Sequence, residues 1–130
     1  MTASAFGDFS VLVIEDETFT RMVLARMLSS LGFRAVHQAG DGESGLAAVR
    51  EHAPDAVVCD VEMAPVDGLG FLKALRASED PRHKALPVVF MTNRADETRM
   101  AEARALGADT FLTKPATPET LRRTLGERLG

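Results

Sequence analysis

The chain has 130 residues, a formal net charge of −4, and 45% hydrophobic and 26% charged residues, a composition typical of one globular domain. The acidic balance disfavours direct nucleic-acid binding, no apolar run is long enough to span a membrane, and the first ten residues lack the features of a secretory signal. The single cysteine, Cys59, excludes an internal disulfide and fits a reducing compartment. We therefore expect a cytoplasmic protein without membrane insertion.

The first half of the chain predicts two strand–helix pairs. A continuous apolar run at 11–14 predicts a buried strand. A helix follows up to Gly32, with Asp16 or Thr18 as its cap. The weaker run 34–39 predicts a partly exposed edge strand, and a helix at 45–52 follows the turn at 40–42. The apolar residues at helical spacing in these two helices are Phe19, Met22, Val23, Met27 and Leu31, then Leu46 and Val49.

The second half continues the alternation. Apolar runs at 56–59, 88–91 and 111–112 predict three more strands, and each is followed by a helical pattern. Residues 78–86 are predicted to be a polar loop, and Thr117 with Pro118 suits the start of the last helix. The three helical patterns are Leu69, Leu72 and Leu75; Met100, Ala103 and Leu106; and Leu121, Leu125 and Leu129.

This order predicts an α/β fold: a doubly wound, five-stranded parallel sheet with five helices distributed over both faces. Residues 1–8 are predicted to be an N-terminal tail and residues 9–130 one domain. In such sheets ligands bind outside the carboxyl ends of the strands, so the residues that follow each apolar run are the candidates for a site.

Acidic and polar side chains follow four of the five runs. Glu15 and Asp16 follow the first, Asp60 the third, Thr92 the fourth and Lys114 the fifth. Two carboxylates about 4 Å apart repel by roughly 4 kcal/mol at an effective dielectric constant near 20, so the cluster needs a cation. Lys114 offsets part of the repulsion, and Mg²⁺ fits carboxylate ligands. Helix capping is the alternative explanation for these acids, but the coincidence at four strand ends favours a site.

Together these residues resemble the receiver domains of two-component response regulators. The likeness extends over about residues 9–129 and implies the strand order 2-1-3-4-5. Each motif alone is weak, but their joint order is specific. The matching motifs are Glu15-Asp16, Asp60 at the end of Val-Val-Cys-Asp, Asp67-Gly68, Thr92 and Lys114-Pro115.

The resemblance implies a phosphorylation site. Asp60 would accept a phosphoryl group from a phosphohistidine of a sensor histidine kinase or a histidine phosphotransfer protein. Mg²⁺, with Mn²⁺ as the alternative, would be held by Glu15, Asp16, Asp60 and the main-chain carbonyl of Glu62. Lys114 would pair with a phosphate oxygen as a point charge.

The resemblance also implies a switch. The Thr92 hydroxyl would move to the phosphate, and the Phe111 ring would turn inward. The surface of the fourth predicted helix, the fifth strand and the last helix would then change for an unidentified downstream protein partner, and phosphorylation-dependent homodimerisation stays open. Lys114-Pro115 matches a family turn whose peptide bond is cis.

Several residues depart from the family pattern. Glu15 stands where aspartate is usual, Pro65 comes one place late, and Asn93 follows Thr92 where a small residue is common. We hypothesise that Asn93 hinders the Phe111 rotation or hydrogen-bonds the site. Glu62 and Arg94 lie two residues beyond Asp60 and Thr92, and we hypothesise that they face each other over the entrance and restrict hydrolytic water. The alternative is two unrelated solvated charges.

These features predict a signalling module rather than an enzyme, with only weak self-catalysed phosphotransfer and dephosphorylation. One alternative is a receiver-like interaction module that works without phosphorylation. A flavin-binding carrier is disfavoured because Glu15-Asp16-Glu17 would repel a flavin phosphate. An aspartate-nucleophile phosphatase is disfavoured because Glu-Asp-Glu replaces the Asp-x-Asp expected after the first strand.

Overall fold

The computed structural model describes residues 6–61, 68–92, 97–108 and 110–129. Five strands and six helices lie within these ranges. In chain order they are β1 (Ser10–Ile14), α1 (Thr18–Ser30), β2 (Ala35–Ala39), α2 (Gly42–His52), β3 (Ala56–Asp60), α3 (Gly68–Ala77), α4 (Pro81–Ala85), β4 (Val88–Thr92), α5 (Glu97–Ala105), β5 (Thr110–Thr113) and α6 (Pro118–Leu129).

The strands form one parallel sheet in the order β2-β1-β3-β4-β5, which confirms the predicted fold. Every residue of β1, β3 and β4 is buried. Burial on both faces explains why their sequences are continuous apolar runs. The edge strand β2 is partly exposed, as its weaker apolar pattern predicted.

Helices cover both faces of the sheet, because successive strand residues point to opposite sides. On one face Ile14 and Phe90 pack with α2, α3 and the buried Ala103 of α5. On the other face Val13 and Met91 pack with α1 and α6. The large helix side chains that are fully buried in these two cores are Phe71, Leu72 and Leu75, and Leu28, Leu121 and Leu125, each of which contributes roughly 1.5–3 kcal/mol by burial.

The polar loop predicted at 78–86 is wrong in part, because it contains the short helix α4. The Asp80 carboxylate accepts a hydrogen bond of 2.9 Å from the Arg82 amide, and Pro81 begins the helix. Proline at this position needs no amide partner and already has a helical φ. The structure therefore has six helices in the described residues where the sequence predicted five.

Helix α1 ends at the predicted position but presents a different face to the core. Gly32 has the left-handed φ of 98° that glycine adopts after a helix. Phe19 and Met22, predicted to be part of the buried stripe, are 72% and 54% exposed. The residues buried instead are Leu24, Ala25 and Leu28.

The core extends into the predicted N-terminal tail. Phe6 is 3% exposed, and its ring stacks on Phe33 with a centroid distance of 4.5 Å. Phe9 is half-buried against the same core. The division of the chain at residues 8 and 9 stays a prediction. Within the described ranges, no helix has the length and apolar character needed to cross a bilayer.

Candidate functional site

Four strands deliver polar side chains to one rim of the sheet. Asp60 and Thr92 are the last residues of β3 and β4, while Glu15 and Lys114 directly follow β1 and β5. Ligand oxygens of Glu15, Asp16 and Asp60 all lie within 4.8 Å of one another. The parallel sheet thus brings together the acidic residues that the sequence placed at the strand ends.

The segment after β1 is fixed by hydrogen bonds from both sides. The Glu15 amide donates to the carbonyl of Ala39 in β2 at 3.1 Å, and the Glu15 carboxylate accepts from the Glu17 amide at 2.9 Å. The Glu17 carboxylate caps α1 by accepting from the amides of Phe19 at 3.2 Å and Thr20 at 2.8 Å. Glu17, rather than the predicted Asp16 or Thr18, is therefore the N-cap.

Arg21 is a site-supporting residue that the sequence analysis missed. Its guanidinium donates from Nη1 to the main-chain carbonyl of Glu15 at 2.9 Å. Its own amide donates to the carbonyl of Glu17 at 2.9 Å. Arg21 therefore connects the first turns of α1 to the acidic segment. The only sequence signal was its spacing of four residues from Glu17, which by itself indicates no more than a helical turn.

The electrostatics of the rim favour a bound cation. Glu15 is only 3% exposed, and this burial raises the pKa of its carboxyl group to about 7, with the neighbouring carboxyl groups of Asp16 and Asp60 adding to the rise. The Glu17 amide opposes the rise, because it donates to the ionised form. Three carboxyl groups this close are the oxygen ligands that a hard divalent cation prefers, so the donor set fits Mg²⁺ or Mn²⁺.

Asp60 is buried beside the ammonium group of Lys114. Its side chain is 6% exposed, and Oδ2 accepts a bond of 2.8 Å from Nζ of Lys114, whose side chain is 39% exposed. Gly68 lies directly against this strand end: a Cβ built at Gly68 would lie 2.5 Å from the carbonyl oxygen of Asp60. A glycine is therefore required where α3 begins next to Asp60.

Thr92 and Phe111 share one face of the sheet. In the register of β4 and β5, Phe90 is paired with Phe111 and Thr92 with Thr113, so these side chains point to the same side. Thr92 is 3% exposed, and its carbonyl accepts the Lys114 amide at 2.9 Å. The Lys114-Pro115 peptide bond is cis, as the family turn predicted.

The Phe111 ring is half-buried between two elements. It stacks on the buried Phe90 with a centroid distance of 6.3 Å. The guanidinium carbon of Arg104 in α5 lies over the ring, 4.9 Å from its centroid. Phe111, which the sequence singled out, is thus in contact with the Arg104 side chain, which the sequence did not single out.

Five residues singled out from the sequence lie outside the described residues. They are Glu62, whose carbonyl was predicted to be a metal ligand, Pro65, Asp67 of the Asp67-Gly68 motif, and Asn93 and Arg94. Their predicted roles stay predictions.

A groove of about 500 Å³ leads away from the acidic cluster along α1. Glu15, Asp16, Asp60 and Lys114 line one end. The remainder is mostly apolar, and includes Phe19, Val23, Leu24, Met27, Met91, Pro115 and Ala116. The rim is therefore an open pocket, accessible from outside, rather than a closed cavity.

Comparisons with known proteins agree with this arrangement. A family model described as the response regulator receiver domain matches residues 11–126. The chain is 34% identical over 115 residues to a probable chemotaxis protein CheY of Rhizobium etli, covering 88% of each. It is 31% identical over 125 residues to the chemotaxis protein CheY-3 of Vibrio cholerae, covering 96% of this chain and 95% of that protein.

A solved structure matches at the level of the whole fold. The chemotaxis protein CheY4 of Vibrio cholerae superposes with a TM-score of 0.83 at 31% identity, covering 94% of this chain and 98% of that one. The sequence comparisons and the structure comparison therefore agree on the same family of proteins.

Proposed function

The chain belongs to the response regulator receiver domain family of two-component signalling systems, and on that premise we propose that Asp60 accepts a phosphoryl group from a phosphohistidine of a sensor histidine kinase or a histidine phosphotransfer protein. The observation that carries the proposal is the position of Asp60. Its carboxylate is buried at the end of β3, with an oxygen within 4.8 Å of carboxylate oxygens of Glu15 and Asp16. It also accepts a hydrogen bond from the Lys114 ammonium group.

The proposed transfer moves one phosphoryl group between two side chains. A carboxylate oxygen of Asp60 attacks phosphorus, the phosphorus–nitrogen bond of phosphohistidine breaks, and the imidazole leaves with the bonding electron pair and takes up a proton. Hydrolysis of the resulting acyl phosphate restores the Asp60 carboxylate and releases inorganic phosphate. Lys114, already 2.8 Å from Asp60, is in position to pair with a phosphoryl oxygen.

A divalent cation is part of the proposed site. Glu15, Asp16 and Asp60, with the main-chain carbonyl of Glu62, would hold Mg²⁺ or Mn²⁺, and the bound ion supplies charge neutralisation for the phosphoryl oxygens. The chain's own contribution is to fix Glu15. Its amide donates to Ala39, its carboxylate accepts from the Glu17 amide, and its carbonyl accepts from the Arg21 guanidinium. These hydrogen bonds fix Glu15 in place despite its repulsion by the neighbouring carboxylates.

Phosphorylation would switch a surface. It adds about −1.5 to −2 charges and new acceptor oxygens. These attract the Thr92 hydroxyl and Lys114, and Phe111 turns toward the space that Thr92 vacates. The surface formed by α5, β5 and α6 then changes, and a partner that prefers the changed surface shifts the population toward it. The protein works as a signalling module, and its phosphotransfer and autodephosphorylation serve the switch.

The lifetime of the phosphoryl group is a separate part of the proposal. Glu62 and Arg94 would face each other over the entrance and limit water access, with Asn93 beside them. We expect faster dephosphorylation in Glu62→Ala and Arg94→Ala, measured as loss of phosphoprotein over time. Wild-type rates in both variants would remove this part and leave the phosphoacceptor role of Asp60 intact.

Intact mass after incubation with acetyl phosphate tests the phosphoacceptor. We expect a gain of one phosphoryl group that requires Mg²⁺ and is absent in Asp60→Asn. Asp55→Asn is the matched control, because Asp55 directly precedes β3, at the end opposite Asp60. Its carboxylate accepts a hydrogen bond of 2.8 Å from the Ser10 amide. This control should be phosphorylated like the wild type.

Beryllofluoride binding separates a slow donor from a wrong assignment. This phosphoryl mimic should bind the wild type in the presence of Mg²⁺, and size-exclusion chromatography of that complex reports whether a second copy covers the switched surface. A protein that neither gains phosphate nor binds beryllofluoride would overturn the proposal in favour of a module that binds partners without phosphorylation.

A further inference from the structure

The contact between Arg104 and Phe111 joins the proposed switch to α5. The guanidinium carbon lies 4.9 Å from the ring centroid, within the range of a cation–π interaction. Arg104 itself is exposed, in the last turn of α5, whereas Phe111 is half-buried in β5. The cation therefore covers the ring from the helix side and forms part of the surface that α5 and β5 share.

The position of Phe111 makes this contact sensitive to the state of the site. Phe111 is paired with Phe90 in the parallel register, and Thr92 lies two residues further along β4 on the same face. A ring that turns from α5 toward Thr92 moves away from the guanidinium. The Arg104 contact is therefore made in the structure described here and is lost or weakened when the ring moves inward.

We propose that Arg104 is a positioning residue that holds Phe111 against α5 and so opposes the phosphorylated form of the switch. The inference rests on the proposed function and concerns how that same site is regulated. A contact present in one state only biases the equilibrium by its own free energy. Loss of the contact should therefore favour the inward ring and tighter binding of a phosphoryl mimic at Asp60.

The expected magnitude is modest and measurable. A cation–π contact at an exposed site corresponds to a change of about two- to fivefold in an equilibrium constant. We expect Arg104→Gln to bind beryllofluoride about two- to fivefold more tightly than the wild type in the presence of Mg²⁺. An effect on folding alone would not tighten ligand binding, so the direction of the change separates a positioning role from a merely structural one.

Two further variants identify the cation and the ring as the cause. Arg104→Lys keeps a cation and should restore near wild-type affinity. In a Phe111→Leu background the change Arg104→Gln should have no effect, because the ring is already absent. Arg26→Gln, an exposed arginine change on α1, is the control for the loss of one positive charge and should leave the affinity unchanged.

The test is a beryllofluoride titration of these purified proteins, followed by the fluorine NMR signal of the bound beryllofluoride itself, which every variant including Phe111→Leu can give. Thermal unfolding of each variant confirms that it is folded, and Arg104→Met replaces Arg104→Gln if that variant is not. Tighter binding in Arg104→Gln, abolished by Phe111→Leu, supports the inference. Unchanged or weaker binding in Arg104→Gln with normal wild-type binding overturns the inference alone, whereas absence of wild-type binding overturns the proposed function together with it.

Discussion

Asp80 and Glu15 are carboxylates at opposite ends of the same sheet, and their pKa values are shifted in opposite directions. Hydrogen bonds from Arg82, first from its side chain and then from its amide, lower the pKa of Asp80 to about 2. Burial, together with the carboxyl groups of Asp16 and Asp60, raises the pKa of Glu15 to about 7. At the amino ends of the strands an acid is neutralised by its neighbours in the chain, and at the carboxyl ends acids are gathered against one another.

The difference separates an acid with a capping role from the acids gathered in the candidate site. Asp80 caps α4 and pairs with Arg82 at 2.9 Å, so its charge is satisfied within a few residues. Glu15 and Asp60 are buried together, and such crowding costs stability unless a cation arrives. Under the proposed function, the rim is a region where carboxylates that lower stability would serve ion and phosphate binding.

Lys114→Met should cause the largest loss of stability among the substitutions at these two ends of the sheet. In metal-free protein we expect a loss of about 1–3 kcal/mol in the free energy of unfolding, because Asp60 stays buried without its ammonium partner. The loss is below that of a fully enclosed pair, since water reaches Lys114. Urea denaturation with a chelator measures it. Arg82→Met breaks the exposed pair with Asp80 and is expected to cost much less, so equal losses would contradict the comparison.

Glu15→Gln should stabilise the metal-free protein. The pKa of Glu15 is raised from its ordinary value of 4.5 to about 7 in the folded protein, so the folded state binds the proton more tightly. Its contribution to stability is present below pH 4.5 and is lost as the pH rises through about 7. We therefore expect the variant to exceed the wild type by about 1–2 kcal/mol near pH 8, with the difference vanishing in acid.

Urea denaturation at a series of pH values with a chelator tests this dependence on pH. An advantage of Glu15→Gln that grew toward acid would contradict the sign. Added Mg²⁺ should reverse the ranking at alkaline pH, because the ionised Glu15 carboxylate becomes a ligand instead of a destabilising charge.

Arg21→Met should weaken Mg²⁺ binding with little change in the free energy of unfolding. The guanidinium holds the Glu15 carbonyl at 2.9 Å, and groups that orient metal ligands contribute to affinity. We expect Mg²⁺ to bind about tenfold more weakly, the low end for groups that orient ligands, because Arg21 contacts the main chain of Glu15 and not its carboxylate; isothermal titration calorimetry measures it. Arg26→Met, on an exposed position of the same helix, is the control. Identical Mg²⁺ affinities in both variants would show that Arg21 has no such role.

Asp80→Asn should have the smallest effect. The pKa of Asp80 is lowered from 3.8 to about 2, so its stabilising contribution is present above pH 3.8 and is lost as the pH falls through about 2. The variant should be slightly less stable than the wild type at neutral pH, and the two should converge in acid. Chemical denaturation at both pH values measures this, and a deficit that persisted in strong acid would contradict the assignment.

Much of the fold followed from patterns with a direct physical cause. Continuous apolar runs predicted the three central strands because both of their faces are covered. The short helix α4 was missed because its sequence, PRHKA, has no apolar spacing and none of its residues is buried. Only the pair Asp80-Pro81 signalled it, as a cap followed by a proline at the first helical position.

The orientation of α1 could not be read from spacing alone. The helix carries two apolar stripes, one through Phe19 and Met22 and another through Leu24 and Leu28, and both have helical spacing. Which stripe meets the sheet depends on the direction in which the helix leaves the segment after β1. The cap at Glu17 and the bonds of Glu15 set that direction, and these are tertiary features.

The candidate site was predicted where the strand ends determine position, and missed where contacts come from helices. Glu15, Asp16, Asp60 and Lys114 lie at or just after the carboxyl ends of parallel strands and therefore meet at one rim. Arg21 and Arg104 reach their partners from α1 and α5 with exposed or half-exposed side chains, and no local pattern distinguishes such arginines from solvated ones.

The stacking of Phe6 on Phe33 fixes the segment that precedes β1 against the body of the domain. The Phe6 ring also lies near α6, since a Cβ built at Gly126 would lie 4.0 Å from it. Both the segment entering β1 and the end of α6 therefore leave the domain on the side away from Asp60. A label attached at the exposed Asp8 or Glu127 would therefore report from the side away from the rim and leave Asp60 accessible.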